Sequence, residues 1–128
     1  MSETEKITIN MSVVDLGKID LLVQEGFYQN RTDFIRTAIR VQLDKHEPEV
    51  KDSVVRHSYG VGIFVFDRKS LEKALAKGEK RSYHVIGTLI LEKDISPELA
   101  DQVIESIKVR GVFRASDAVK EILADRIA

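Results

Sequence analysis

Cysteine is absent from the 128 residues. That excludes a disulfide scaffold and a thiolate metal site, and it fits a reducing cytoplasm, the expected location. Long apolar runs are also missing. The longest candidate, "VGIFVF", is far short of a membrane span, so no membrane partner is expected. The N-terminus "MSETEK" is acidic and lacks the apolar stretch of a secretory signal. Charge of one sign is lacking as well: the formal net charge is −1, which by itself points to no polyanionic partner. There are three histidines, His46, His57 and His84, and no H-x-H or H-x-x-x-H pair. A metal site is not expected on such isolated ligands, and no cofactor is implied. The carboxylates show no pairing for acid–base work, and Ser, His and Asp are too scattered for a triad. The chain is expected not to be an enzyme.

What is present begins with "KITINM". Polar Lys6, Thr8 and Asn10 alternate with apolar Ile7, Ile9 and Met11, the pattern of a half-buried strand. Ser12 followed by Asp15 marks a helix start. Leu16, Ile19, Leu22 and Val23 recur at helical spacing, and Gly26 stands where a left-handed residue ends a helix. Asn30 and Asp33 mark a second helix start. Phe34, Ile35, Ala38, Ile39 and Leu43 form that helix's apolar face, and "HEP" is expected to end it. The polar stretch "PEVKDSVVRHSY" reads as an irregular linker.

The second half repeats. "GIFVFDRKSLEKAL", "GTLILEKDISPELADQVI" and "GVFRASDAVKEIL" begin at Gly62, Gly87 and Gly111, at spacings of about 25 residues. Each unit reads as a short strand after glycine, then a helix. Ser96 with Pro97, and Ser116, are the helix starts. Strand–helix–strand order favours parallel strands joined by right-handed crossovers. A compact domain of the ferredoxin-like kind is the competing topology. Ile63, Val65, Leu89, Leu91 and Phe113 are the candidate core. The cluster "KGEKR", residues 77–81, reads as a solvated loop.

A unit of one strand and two short helices has a poor core and an unpaired edge. Both are resolved if two copies of "KITINM" pair antiparallel across a two-fold axis. The strand "KITINMS", the helix ending "LVQEGFY" and the start "NRTDFIRTAIRVQL" together resemble the ribbon-helix-helix superfamily of Arc, MetJ and CopG-type DNA-binding proteins. The resemblance covers about residues 5–46. It implies a dimeric, intertwined ribbon-helix-helix at 1–48. With the polar linker at 49–59 and the strand–helix repeats read above as a C-terminal α/β domain at 60–128, the chain is expected to be α+β.

The resemblance also implies a function. Its paired strands enter the major groove of double-stranded DNA. Carried over, Lys6, Thr8 and Asn10 would read bases, and the backbone around Asn30, Arg31 and Thr32 would hold a phosphate, with the Arg31 side chain assisting. The bland alternatives are a solvated strand face and plain helix capping. Charge counts against DNA: residues 1–49 carry six Lys or Arg against nine Asp or Glu. The expected role is a homodimeric transcriptional repressor, with residues 60–128 serving a higher homo-oligomer or ligand sensing. An antitoxin-type protein whose C-terminal half binds a partner protein is the alternative, as is a structural assembly protein that binds no DNA.

Overall fold

The computed structural model describes residues 4–128. The chain divides into two compact units, Lys6–Asp52 and Ser53–Ala128, the latter together with residues 4–5.

In the first unit, helix α1 spans Val13–Gln24 and α2 spans Arg31–Lys45. Ser12 caps α1 through its hydroxyl, which accepts from the Asp15 amide at 3.5 Å. Gly26 follows the C-cap at φ +82°, and the Phe27 amide reaches back to the Leu22 carbonyl at 3.0 Å. Glycine adopts this left-handed turn without the Cβ clash that other residues meet. Residues 4–12 form neither helix nor ladder within the single chain.

The stretch expected to be an irregular linker is instead a helix, α3, Glu47–His57. Pro48 explains both the expectation and the correction. It stops α2, yet it sits in the first turn of α3, where its missing N–H has no acceptor to lose. Glu47 and Glu49 then lie at the positive end of α3, and Arg56 and His57 at the negative end.

The second unit is three successive β–α pairs: β1 Gly60–Phe66, α4 Arg68–Ala76, β2 Arg81–Leu91, α5 Pro97–Val103, β3 Ile104–Arg114 and α6 Asp117–Ile122. The strands form one parallel sheet in the order β1-β2-β3. This is not a ferredoxin-like arrangement. Each helix is capped by the side chain before it. Asp67 accepts from Ser70, Ser96 from Leu99 and Ser116 from Val119, at 3.0–3.2 Å. Ser96 and Ser116 are the caps expected from sequence.

One face of the sheet carries the core. Leu71 and Ala74 of α4, Leu99, Ala100 and Val103 of α5, and Val119 of α6 join Tyr83, Val85, Leu89, Leu91 and Ile107 in a single buried cluster. All three helices therefore cover the same face. Sequential strand order with one-sided helices means that both crossovers share one hand. Arg126 ties the C-terminus to this unit. Its guanidinium donates to the carbonyls of Asp101 and Ile104 at 2.9 and 3.0 Å and pairs with the Asp101 carboxylate.

Two sequence expectations are corrected here. The repeated glycines do not open β2 and β3. Those strands begin at Arg81 and Ile104, and the glycines lie within them. Ile63 and Val65 are not core either: they are 45% and 51% exposed. Alternation along β1 gives the core face to Phe64 and Phe66 and the opposite face to Val61, Ile63 and Val65. Of the other expected core residues, Leu89 and Leu91 are buried, and Phe113 packs half-buried against them.

Candidate nucleic-acid interface

The segment Lys6–Met11 is exposed on both of its faces. Ile7 and Ile9 are 75% and 64% exposed, and Lys6, Thr8 and Asn10 are exposed beside them. Exposed polar residues on a strand are ordinary; exposed isoleucines at alternate positions are not. The helices repeat the anomaly. Leu21, Phe27, Ile39, Val41 and Leu43 are all exposed large apolar residues. Between residues 6 and 52, Ile19 is the single buried residue. A groove of about 330 Å³ opens beside it, lined by Met11, Asp15, Lys18, Ile19, Leu22 and Phe34.

The start of α2 is built from short polar contacts. Asn30 is the N-cap, and its Oδ1 accepts from the Asp33 amide at 2.8 Å. The Asp33 carboxylate accepts in return from the Gln29 amide at 3.0 Å. Tyr28 packs edge-on against Phe34, with ring centroids 4.9 Å apart, and so fixes the chain entering the helix. The amides of Arg31 and Thr32 are helix-end donors with no intrahelical acceptor. They carry the positive end of the helix dipole, which suits an anion.

The Arg31 side chain is committed elsewhere. Its Nε and one terminal nitrogen donate to the two carboxylate oxygens of Asp20 at 2.7 and 2.8 Å, a bidentate pair bridging α1 and α2. Hydrogen bonding from Arg31 lowers the Asp20 pKa below its ordinary value, and hydrogen bonding to Asp20 raises that of Arg31. Asn30, Arg31 and Thr32 thus stand together at one helix end, but the Arg31 guanidinium faces Asp20. Sequence reading had no signal for this pair. The two residues are 11 apart, and only the angle between the helices joins them.

In the second unit, a shallow crevice at the carboxyl ends of β2 and β3 is lined by Ile90, Leu91, Glu92, Lys93, Arg114, Ala115 and Ser116. Arg114 there pairs with Glu5 at 3.1 Å. His84 Nδ1 lies 3.2 Å from the His57 carbonyl. Among the described residues, no group of three His, Cys, Asp or Glu could hold a metal ion, and no helix is long and apolar enough to cross a membrane.

The first unit thus joins an extended N-terminal segment of alternating pattern to two side-chain-capped helices, with Ile19 as its single buried residue. The sequence profile of the ribbon-helix-helix transcriptional regulator family matches residues 2–120, and the chain belongs to that family. The match extends through most of the C-terminal sheet, well beyond the 5–46 that carried the resemblance. No curated protein and no solved structure matches the chain.

Proposed function

We propose that this chain is a homodimeric, sequence-specific DNA-binding regulator, acting as a repressor, whose two copies of Lys6–Met11 pair as an antiparallel ribbon in the major groove. The observation that carries the reading is the exposure of Ile7 and Ile9 on a unit whose single buried residue is Ile19. Ribbon pairing across a two-fold axis would direct both isoleucines onto the helices of the two copies. It would leave Lys6, Thr8 and Asn10 on the outer face. Lysine can donate to guanine, asparagine can pair bidentately with adenine, and threonine offers a hydroxyl and a methyl. The amides of Arg31 and Thr32, at the Asn30-capped end of α2, would hold a backbone phosphate and set the ribbon's register. The C-terminal sheet would then hold copies together or sense a ligand.

The test is selection from a genomic DNA library at fixed salt, comparing the native chain with the Thr8→Ala/Asn10→Ala double variant. Salt is held constant because phosphate contacts make affinity steeply salt-dependent. A symmetric or repeated motif, enriched by the native chain and lost with the double variant, supports ribbon readout. A folded dimer that enriches nothing removes it.

A further inference from the structure

Alternation splits the sheet into two unlike faces. The face away from the helices presents three rows across the strands: Val61–Ile86–Arg110, Ile63–Thr88–Val112 and Val65–Ile90–Arg114. Its β1 side is open to solvent, with Val61 64% exposed beside Ile63 and Val65. Thr88, at the centre, is the single buried polar residue among those described. Lys108 and Arg110 put positive charge along β3, whereas Arg114 at its end is paired with Glu5. All-parallel sheets are almost always covered on both faces, because their strands are apolar on both sides. Here the helices cover one face, and among the described residues none buries Val61, Ile63 and Val65 of β1 on the other.

We propose that this face, through its open β1 side of Val61, Ile63 and Val65, packs against the same face of a second copy of the chain. The inference rests on the two-copy reading of the N-terminal unit. If the ribbons pair, a second sheet is tethered at an effective concentration on the order of millimolar. The charge layout selects the same occupant. A two-fold axis running along the strands between β1 and β2 lays the apolar rows of one copy on those of the other. It also sends the two basic β3 rows to opposite rims, where their charged ends reach water. An acidic partner would meet valine and isoleucine over most of the face, whereas a second copy meets its own apolar rows. Packed sheets lie about 10 Å apart.

The absence of cysteine makes the test direct, because any introduced thiol is unique in each chain. Full-length chains carrying a nitroxide label on Val61→Cys, at the border of the patch, should show an interchain spin pair at roughly 10–20 Å, given the sheet spacing. A label on Lys73→Cys, on the exposed side of α4, should show none in that range. Ile63→Glu should abolish the Val61 pair. A label on Thr8→Cys reports ribbon pairing separately. A short Thr8 pair without a Val61 pair overturns the sheet-face inference and leaves the ribbon standing. A Val61 pair without a Thr8 pair overturns the ribbon and keeps the face. Absence of both overturns both.

Discussion

Gly87 lies in register with Gly62 on the neighbouring strand, and a Cβ on Gly87 would stand 2.1 Å from the Gly62 carbonyl oxygen. The relation repeats one strand over, where a Cβ on Gly111 would stand 2.1 Å from the carbonyl oxygen of Gly87. All three glycines have φ between +131° and +141°. The column therefore demands glycine twice over at Gly87 and Gly111, for backbone conformation and for space. Gly62 demands it only for conformation, since a Cβ there meets nothing closer than a Phe64 ring carbon at 3.9 Å. Gly62→Ala is expected to destabilise by about 1 kcal/mol, the cost of an unfavourable φ. Gly87→Ala and Gly111→Ala should cost more than about 3 kcal/mol, because a strand must move off its partner. Denaturant unfolding of the three variants checks the order, and equal losses would contradict the steric account.

That column also shows what the sequence discloses. A glycine every 24 or 25 residues, each followed by an apolar run and a capped helix, was enough to recover three β–α units. It was not enough to place the strand starts, because "RSYHVI" and "IESIKV" precede their glycines and carry polar residues on the open face. The same limit misplaced Ile63 and Val65. An apolar alternation shows that a strand has two faces, not which face the helices choose. Pro48 misled for a different reason: proline ends one helix and begins the next with equal ease. In the candidate interface, the Asn30 cap was legible from local spacing, whereas the Asp20–Arg31 bridge needed the angle between two helices.

Asp20 holds the guanidinium that the phosphate reading would use. If Arg31 assists a phosphate, it must exchange a carboxylate for it. Asp20→Asn should then tighten DNA binding by roughly 2–10-fold, since it frees a cation and removes an anion beside the DNA. Arg31→Ala should weaken it by a similar factor. Fluorescence anisotropy on one DNA duplex at several salt concentrations measures both. If the two variants leave affinity unchanged, Arg31 is a structural clamp between α1 and α2. The pair also bears on acid stability. The Asp20 pKa is depressed, so its contribution is present above the ordinary carboxylate range and is lost as pH falls through the lowered value.

Base readout and phosphate contact make separable predictions at the proposed ribbon. Asn10→Ala should lose about 1–3 kcal/mol of discrimination at one base pair of the selected site, the value of a bidentate contact. Binding to unrelated DNA should be nearly unchanged, because phosphate contacts carry that term. A uniform loss on all sequences would place Asn10 at the backbone instead.

Ile9 is exposed in the single chain and buried in the proposed pair. Ile9→Ser should therefore leave the C-terminal core intact while weakening association, by about 2–5 kcal/mol for each copy's lost apolar contact. The concentration dependence of Tm reads this, because a dimer's stability includes a mass-action term. A variant with the native concentration dependence would mean that Ile9 faces water in the assembled protein as well.

Tyr83 supplies a pH signature for the second unit alone. Its ring stacks on Phe66, with centroids 4.6 Å apart, as part of the buried core cluster. Burial raises its pKa above the ordinary phenol value, partly offset by the nearby charge of Arg81. The unfolded chain releases this proton at about pH 10, whereas the folded chain holds it longer. The folded state binds the proton more tightly, so the stability from this group is fully present below about pH 10 and falls as pH rises through the raised value. Tyr83→Phe keeps the stacked ring and removes the titration. The stability of the native chain relative to this variant should therefore be constant from neutral pH to about 9 and decline above 10. Urea unfolding of both chains across that window measures it. A difference that does not change with pH would mean that the Tyr83 hydroxyl reaches solvent in the folded protein.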